Sequence, residues 1–320
     1  MSNLKVAALV PPEDPMTALD RADTFIQAAE ISECLSILGN ECLTIIFGDD
    51  RAATAESLLN EGPDVVFNLV EDVSEGADHL HLATALLDRL RLHYTGAPTA
   101  ALKALGDKRV MKRRLAEAGL PIAASEADGP ADARYIVKSA TEHASIGIDQ
   151  TSVVSGRDAA QAVIAQRKDE HGGAWFAEQY IDGREFNLSL LETATGTVAL
   201  PVAEILFLDH TGRPKIVGYK EKWAADSAAY AATPRHFASA PADAPLHADL
   251  TRLSLAAWQL FGLKGFARVD FRVDDLGMPY ILEVNANPCL AADAGFCAAA
   301  AEVGLSQTDI VAQLIETALA

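Results

Sequence analysis

Hydrophobic residues in the first part of the chain form short apolar runs that alternate with stretches of helical spacing. Runs typical of buried strands occupy 4–10, 42–47 and 64–70, and helical spacing occupies 17–38, 51–60 and 77–91. Strands that alternate with helices predict a parallel sheet in an α/β domain of about 100 residues. No G-x-G-x-x-G sequence follows the first strand, so this segment lacks the fingerprint of dinucleotide binding.

The pattern changes after Ala97-Pro98, where a domain boundary is predicted. Helices are then expected at 99–118, 157–169, 246–261 and 307–319. Strands are expected at 133–138, 152–154, 175–181, 184–192 and 198–207, and in a hairpin near 265–288. The intervening stretch 209–245 is interpreted as a loop, whose Ala-rich part at 223–245 is expected to be mobile.

The hairpin segment, GFARVDFRVDDLGMPYILEVNANP, has the most informative polar pattern in the chain. Alternation places Arg268 and Asp270 on one face of the first strand, and Glu283 and Asn285 on one face of the second. A turn at 274–277 would bring together two carboxylates and an amide oxygen, a ligand set that suits Mg²⁺ bound alongside substrate phosphates. Arg268 lies where a cation can stabilise developing negative charge. The alternative is a surface hairpin whose polar face is only hydrated.

Composition and charge exclude several classes of protein. The 320 residues are 50% hydrophobic, enough for two or three packed domains, and no apolar run approaches the ~20 residues of a membrane span. The chain does not start with a basic region followed by a long apolar region, so no signal peptide is expected. A formal charge of −19 disfavours nucleic acid as a partner. Four cysteines without a C-x-x-C pair indicate reduced thiols and a cytoplasmic location.

Two motifs in the hairpin resemble a known fold. R-x-D-F followed by L-E-V-N-x-x-P is similar to the metal-binding end of the ATP-grasp fold, and closest to the branch that contains D-alanine–D-alanine ligases. The resemblance implies a mixed α/β (α+β) chain of three domains. These are a Rossmann-like parallel-sheet domain at 1–98, a central lid domain at 99–181 and a C-terminal catalytic domain at 182–320.

The same resemblance assigns roles to the hairpin residues. In that family the matching Asp, Glu and Asn hold two Mg²⁺ ions on the phosphates of ATP, which implies this role for Asp270, Glu283 and Asn285, with Mn²⁺ as a substitute ion. The matching arginine faces the acyl-phosphate and tetrahedral intermediates, which implies a catalytic role for Arg268.

Two lysines are candidates for phosphate binding. Lys138 ends a predicted strand before the small-residue loop 139–149, where a lysine and backbone N–H groups can bind phosphate oxygens. Such a loop is more often an ordinary turn. In the resembled family, however, a lysine here precedes a loop that closes over the phosphates, which implies roles for Lys138 and Ser145. Lys108 matches an earlier phosphate-facing lysine of the family, and its alternative interpretation is an exposed helix lysine.

The segment Glu178-Gln179-Tyr180-Ile181, followed by Gly-Arg-Glu, resembles the adenine-binding hinge of the family. The resemblance implies that Glu178, Gln179 and Ile181 contact adenine and that Glu185 accepts hydrogen bonds from the ribose. An edge strand that ends in a turn is the alternative.

The segment Tyr219-Lys220-Glu221-Lys222-Trp223 stands in place of the family's Y-x-x-K-Y motif, whose lysine contacts the γ-phosphate and the second substrate. Lys222 is therefore implied in ATP binding and catalysis, with Tyr219 beside the substrate. The alternative is a solvated run of charges.

Both amino-acid pockets of the family are altered in this chain. The family's opening loop has a Glu that orients the first ammonium group, and Glu13 or Asp14 is the candidate here. A serine of the phosphate loop, the last tyrosine of Y-x-x-K-Y, a glycine after N-x-x-P and a later serine are replaced, in that order, by Ala144, Trp223, Cys289 and Ala294.

These features predict an ATP-dependent ligase that activates a carboxylate as an acyl phosphate and joins it to an amine, with ADP and phosphate as products. The altered pockets predict substrates other than two D-alanines, with Arg235 and His236 helping to hold the acceptor. The alternative for these two residues is a plain surface role. One alternative is true D-alanine–D-alanine ligase activity, and another is a non-catalytic ATP-binding regulatory protein. Small-molecule substrates, no nucleic acid, no membrane and a homodimer complete the expectations.

Overall fold

The computed structural model describes residues 3–12, 19–71, 73, 76–142, 145–208, 210, 212–224, 226–237 and 240–320. Their strands form three separate sheets. No helix in this described part of the chain is long and apolar enough to cross a membrane.

The N-terminal sheet is parallel, as the alternation of strands and helices predicts. Its strands, in spatial order β2-β1-β3, are β1 (Lys5–Val10), β2 (Glu41–Ile46) and β3 (Val65–Asn68). The helices here are α1 (Leu19–Ile37), α2 (Arg51–Glu61) and α3 (His81–Leu90), with a 3-10 turn at Ala77–His79. Residues 92–96 pair through an isolated bridge between Tyr94 and Val66 rather than through a ladder. Because the strands are parallel, their carboxyl ends lie at one edge of the sheet.

The basic helix predicted at 99–118 is two helices, α4 (Thr99–Leu105) and α5 (Lys108–Glu117). The interruption occurs at Gly106-Asp107, where the Asp107 side chain accepts a hydrogen bond from the N–H of Arg109 at 2.8 Å and caps α5. Lys108 is therefore the first residue of α5, and Lys112 follows one turn later on the same face.

The middle sheet is antiparallel, with spatial order β5-β4-β6. Its strands are β4 (Arg134–Ser139), β5 (Val153–Ser155) and β6 (Trp175–Gln179), and α6 (Arg157–His171) packs on one face. The core beneath α6 contains Tyr135, Val137 and Ala177. Alternation therefore places Lys138 and Glu178 on the opposite face, away from α6.

The largest sheet has spatial order β10-β9-β7-β11-β12, with β8 paired to β7. Its strands are β7 (Arg184–Thr193), β8 (Gly196–Ala199), β9 (Ala203–Ile205), β10 (Arg235–His236), β11 (Phe266–Val273) and β12 (Pro279–Asn285). The helices that come after β10 are α9 (Ala244–Phe261), α10 (Gly295–Ala301) and α11 (Gln307–Leu319). Helices α4, α5 and α9 share a core with one face of this sheet. The other face is apolar at Phe266 and Leu191, which pack with α1, α10 and α11, and polar beyond them from Arg268 onward.

The interpretation of 209–245 as a loop is wrong in part. This stretch contains α7 (Tyr219–Trp223), α8 (Ala228–Ala231), β10 and a 3-10 turn at Pro241–Asp243. A helix of about one turn, or a strand of two residues, is too short to show hydrophobic periodicity in the sequence. The Ser227 hydroxyl caps α8 by accepting from the N–H of Tyr230, and β10 is defined by its pairing with β9.

Two segments pack outside the domain to which their sequence position would assign them. Helix α11, at the C-terminus, shares a core with α1 and the N-terminal sheet through Leu314, Ile315, Ile31 and Val65. Helices α4 and α5 pack against the largest sheet rather than against the middle one. The chain therefore crosses between its packed units more than once, and the ranges 1–98, 99–181 and 182–320 stay predictions of where the domains divide.

Candidate active site

The polar face of the largest sheet is organised by the β11–β12 hairpin, which turns at 274–277 as predicted. Cross-strand pairs join Arg268 to Asn285 and Asp270 to Glu283. The register shifts after Asp270, so that Phe271 pairs with Ile281 and the core face is kept. The sequence prediction that these four polar residues share one face is confirmed.

Asp270 is the centre of a hydrogen-bond network on this face. Its Oδ1 accepts from Nε of Arg268 and from Nδ2 of Asn187, both at 2.7 Å. Its Oδ2 accepts from Nη2 of Arg268 at 2.9 Å and from Nδ2 of Asn285 at 3.0 Å. Burial alone would lower the pKa of Arg268, but the charge of Asp270 and its hydrogen bonds outweigh burial and raise this pKa. Arg268 is therefore a permanent cation with a fixed orientation.

The donor set of the hairpin fits a magnesium ion shared with phosphates. Asp270 and Glu283 supply carboxylate oxygens, and Asn285 turns its amide nitrogen to Asp270, which leaves the amide oxygen as the remaining donor. The described residues contain no cluster of three or more His, Cys, Asp or Glu suited to a metal. Two carboxylates and one amide are too few to enclose Ca²⁺ and include none of the His or Cys ligands that Zn²⁺ prefers, whereas Mg²⁺ commonly takes one or two carboxylates and completes its shell with phosphate and water.

Lys108 lies beside the hairpin because α5 starts there. Its Nζ lies 3.1 Å from Oε1 of Glu283 and also donates to the carbonyl oxygen of Glu142, in the loop 139–149. The side chain of Lys108 is only 8% exposed. The interpretation as an exposed helix lysine is therefore wrong, and this cation joins the hairpin to the loop that follows β4.

Glu178 is buried between two lysines. Its carboxylate oxygens lie 2.7 Å from Nζ of Lys138 and 2.5 Å from Nζ of Lys112, and Lys112 also donates to the carbonyl of Ile281 at 3.0 Å. Burial alone would raise the pKa of Glu178, but the charges of Lys112 and Lys138 outweigh burial and lower it. The cluster has a net charge of about +1, which suits an anion beside Lys138. No role was predicted for Lys112 from the sequence, although it lies one helical turn from Lys108.

The predicted adenine hinge connects β6 to β7. The N–H of Gln179 donates to the carbonyl of Ala124 at 2.7 Å, whereas the N–H of Ile181 has no hydrogen-bond partner within the described part of the chain. The backbone of Ile181 is therefore the better candidate for the adenine rim. The turn requires glycine at 183, since a Cβ there would lie 2.0 Å from the carbonyl oxygen of Val273.

Glu185, the predicted ribose ligand, lies at the start of β7 on the polar face. Its carboxylate lies 2.9 Å from Nη2 of Arg272. Burial raises the pKa of Glu185, the charge of Arg272 opposes this and the charge of Asp270 adds to it. Arg272 is itself buried and donates to the carbonyl of Gly183, so it fixes both the hinge and the candidate ribose contact. Arg272 and Asn187 were not predicted from the sequence, although alternation along β11 and β7 places both on this face.

Lys222 approaches the same face from α7. Burial lowers the pKa of Lys222, the charge of Arg268 lowers it further, and the charges of Glu283, Asp270 and Glu71 oppose these effects. The ammonium group also lies 5.1 Å from the ring centroid of Trp223. Lys222 therefore interacts with the hairpin charges, but no residue of α7 is fully buried, and the role of Lys222 in ATP binding and catalysis stays a prediction.

The loop after β4 is attached to the start of α7. The hydroxyl of Ser145 donates to the carbonyl of Val217 at 3.1 Å, and the N–H of Tyr219 donates to the carbonyl of Ile148 at 3.3 Å. Ser145 also has a positive φ of 59°, which is uncommon for a residue with a side chain. Ser145 thus joins two candidate phosphate segments. Its predicted catalytic role stays a prediction.

Arg235 and His236 lie on opposite faces of β10. Cross-strand pairing puts Arg235 in a row with Ile205 and Glu185, on the polar face, while His236 pairs with Glu204 on the other face. Nη1 of Arg235 donates to the carbonyl of Asp293 at 3.3 Å. Burial lowers the pKa of Arg235, the nearby Tyr230 opposes this, and the charge of Arg268 lowers it further.

The segment that follows β12 is held by two helices. Gln27 and Glu30 of α1 accept hydrogen bonds from the backbone N–H groups of Leu290 and Ala292, at 2.5 and 2.8 Å. The thiol of Cys297 donates to the carbonyl of Leu290 at 3.1 Å. These contacts fix the loop 288–294, which contains the altered positions Cys289 and Ala294. Glu13, Asp14 and Ala144 lie outside the described residues.

Comparison with known proteins gives consistent results. The family model described as "D-ala D-ala ligase C-terminus" matches residues 131–316. Curated relatives include a D-alanine–D-alanine ligase of Parvibaculum lavamentivorans, 28% identical over 93% of this chain and 94% of that protein. Another is that of Gluconobacter oxydans, 29% identical over 95% of this chain and 97% of that protein.

Solved structures agree in fold. The D-alanine–D-alanine ligase of Bacillus anthracis complexed with ATP has a TM-score of 0.75 and 18% identity, covering 99% of this chain and 97% of that one. The enzyme of Coxiella burnetii has a TM-score of 0.70 and 15% identity, covering 100% and 94%.

Proposed function

The chain belongs to the D-alanine–D-alanine ligase family, with its ATP-grasp fold, and we propose that it uses ATP to join a carboxylate to an amine. The carboxylate donor takes the γ-phosphoryl group of ATP and becomes an acyl phosphate, with release of ADP. The amine of the acceptor then attacks the acyl carbon, phosphate leaves with the bonding electron pair, and the nitrogen loses a proton. The observation that supports this most directly is the pairing of Arg268 with Asp270, which lies opposite Glu283 on the hairpin.

Each charged group then has a distinct task. Lys108 and Lys138 bind phosphate oxygens of ATP, and the backbone of Ile181 with Glu185 holds adenine and ribose. Asp270, Glu283 and Asn285 would hold two Mg²⁺ ions, or Mn²⁺, which neutralise phosphate charge. Arg268 stabilises the oxyanion of the tetrahedral intermediate, since Asp270 fixes its guanidinium in place. Lys222 contacts the transferred phosphoryl group.

We further propose that the substrates are not two D-alanines. Trp223 contacts Lys222, and Cys289 and Ala294 lie in the loop 288–294 that borders Arg235, so the altered residues line the region around the reacting groups. An alanine at 294 cannot donate a hydrogen bond to a carboxylate, and Arg235, whose guanidinium lies beside Asp293, would hold the acceptor instead. Tyr219, Glu13 and His236 remain further candidates for substrate contact.

Activity on D-alanine is the second candidate, because the relatives with full-length similarity are named D-alanine–D-alanine ligases. A non-catalytic role in ATP binding is the third, and the retention of Arg268, Asp270, Glu283 and both lysines argues against it. We also propose that the protein acts in the cytoplasm, because its four cysteines form no disulfide, and that it forms a homodimer.

The deciding experiment measures ADP release with Mg·ATP across a matrix of amino acids, hydroxy acids and amines, with products identified by mass. Turnover with a pair other than two D-alanines would support the first proposal. Strong turnover with D-alanine alone would support the second. ATP binding without ADP release in any mixture would support the non-catalytic role and overturn both.

A further inference from the structure

Arg272 is a buried cation at the hinge end of the polar face. Alternation along β11 places it in one row with Arg268 and Asp270, and the residue is only 5% exposed. Its Nη2 lies 2.9 Å from Oε2 of Glu185, and its Nη1 donates to the carbonyl of Gly183 at 3.2 Å. A buried guanidinium is stable only where its donors are paired, so these contacts determine its position.

The same guanidinium holds the segment that leads into α7. Its Nη2, which pairs with Glu185, also donates to the carbonyl of Lys215. The phenol of Tyr180 accepts from the N–H of Lys215 at 2.7 Å and donates to the carbonyl of that residue at 3.2 Å. The guanidinium carbon lies 4.9 Å from the ring centroid of Phe207. Lys215 is therefore held by two side chains, shortly before the helix that carries Lys222.

The far end of this segment is attached to the loop after β4. The carbonyl of Val217 accepts from the hydroxyl of Ser145 at 3.1 Å, and the N–H of Tyr219 donates to the carbonyl of Ile148 at 3.3 Å. The segment 215–219 therefore joins Arg272 at one end to a candidate phosphate loop at the other.

We propose that Arg272 is a positioning residue through which the ribose hydroxyls of ATP contribute to turnover as well as to affinity. This inference rests on the proposed function and deepens it. One nitrogen, Nη2, contacts both the carboxylate of Glu185 and the carbonyl of Lys215, so the positions of these two groups depend on each other. A ribose hydroxyl that donates to Glu185 would thus also hold the segment that carries Lys222.

The chemistry of the contact favours arginine. Only a guanidinium has enough donors in a fixed plane to serve a carboxylate and two backbone carbonyls at once. Because Arg272 occupies Oε2 of Glu185, Oε1 is the oxygen that remains for the ribose. Binding energy from a part of the substrate that does not react can be used to place groups at the reacting centre, and its loss then lowers kcat and not only affinity.

The probes are ADP and ATP with their 2′-deoxy and 3′-deoxy analogues, each of which lacks one hydroxyl that Glu185 could accept from. Calorimetry with Mg²⁺ gives the Kd of each diphosphate, and ADP release gives kcat at saturating triphosphate. The variants are Arg272→Met and Arg272→Lys, with circular dichroism to check the fold. Arg114→Met is the matched control, since the Arg114 guanidinium also lies 4.9 Å from a phenylalanine ring and donates to a carbonyl.

In the wild type, loss of the bound hydroxyl should weaken ADP binding by about 10-fold or more, as expected for a hydrogen bond to a charged group, and should also lower kcat. In Arg272→Met both effects should shrink to about 2-fold or less, because the hydroxyl and the arginine act through one network. Arg272→Lys should keep a preference for ADP, since an ammonium group can still pair with Glu185. Its kcat should fall, because it cannot also hold Lys215. Arg114→Met should keep both wild-type ratios.

Equal weakening of ADP and its deoxy analogues in Arg272→Met would overturn the inference and leave Arg272 with a purely structural role. A wild-type kcat that is the same for ATP and both deoxy analogues would also overturn it, and this test stands even where Arg272→Met does not fold. The Kd ratios need no turnover, so a failure of the ligase function is recognised separately, by the absence of ADP release in every substrate mixture.

Discussion

Nζ of Lys108 lies 3.1 Å from Oε1 of Glu283, so the first residue of α5 is paired with a candidate magnesium ligand on β12. The two groups have opposite tasks toward Mg·ATP, because Lys108 attracts a phosphate oxygen and Glu283 attracts the cation. Their contact holds both side chains at the position where the phosphates and the metal would meet. Binding of Mg·ATP would exchange this ion pair for two stronger contacts with the nucleotide and its ion.

Replacement of Lys108 by methionine should weaken ATP binding. The loss of one buried charge-assisted contact is expected to raise the KM of ATP by about 10-fold or more, and Glu283 would lose its partner. Steady-state ADP release at varied ATP concentration measures this. Lys103→Met, at an exposed position of α4, is the control and should keep the wild-type KM. An unchanged KM in Lys108→Met would remove Lys108 from the nucleotide site.

Replacement of Asp270 by asparagine should abolish turnover while the fold is retained. The asparagine can still accept one hydrogen bond from Arg268, but it removes a negative charge from the metal site. We expect a fall in kcat of about 100-fold or more and a higher Mg²⁺ concentration for half-maximal rate. Circular dichroism checks the fold, and Asp275→Asn in the exposed hairpin turn is the matched control. Normal turnover and Mg²⁺ dependence would contradict the metal assignment.

Replacement of Arg235 by alanine should raise the KM of the acceptor about 10-fold and leave the KM of ATP unchanged, because Arg235 lies on the polar face beside Asp293. Arg252→Ala, exposed on α9, serves as the control. His236→Ala is tested in parallel. A similar rise in the KM of the acceptor would support the sequence prediction that both residues hold it. An unchanged KM would agree with the opposite faces of β10, which favour Arg235 alone. If Arg235→Ala changes no KM, its role in acceptor binding is wrong.

The buried thiol of Cys297 should make the folded protein less stable at alkaline pH. Burial and the nearby negative charge of Glu30 raise the pKa of its thiol from 9.0 to about 12. Between these values the unfolded chain has lost the thiol proton while the folded chain keeps it, so the free energy of unfolding falls as pH rises. The slope from this group is at most about 1.4 kcal/mol per pH unit.

Denaturant unfolding across that pH range compares the wild type with Cys297→Ala. The variant starts from a lower stability, because it loses the hydrogen bond to Leu290, but its stability should fall less steeply with pH. Parallel curves for the two proteins would show that the thiol keeps its ordinary pKa.

The polar face of the hairpin was predictable because period-two alternation alone determines it. Arg268 and Asp270 share a face of β11, and the turn at 274–277 limits which residues of β12 can oppose them. The same rule applied to β7 would have found Asn187, two residues from Glu185 and on the same face. That residue was missed because no family motif pointed to it.

Other contacts depend on packing that the sequence pattern does not contain. Lys112 meets Glu178 only because α5 packs near β6, although its spacing from Lys108 was a usable signal. The contact of Glu71 with Gln27 joins positions 44 residues apart across a sheet edge and has no local pattern. The fold of 219–236 depends on strand pairing at the sheet edge and on one-turn helices, which propensity does not predict.

We propose that the loop 288–294 borders the substrates, and contacts from distant segments of the chain hold this loop in place. Gln27 and Glu30 come from α1, while Gln307 of α11 donates to the carbonyl of Leu290 at 2.8 Å. Replacing the first 98 residues of this chain by those of a related ligase would remove these contacts. They would be kept only if the incoming segment also had Gln at 27 and Glu at 30. A substitution that repositions this loop would therefore have to be matched by residues near both ends of the chain.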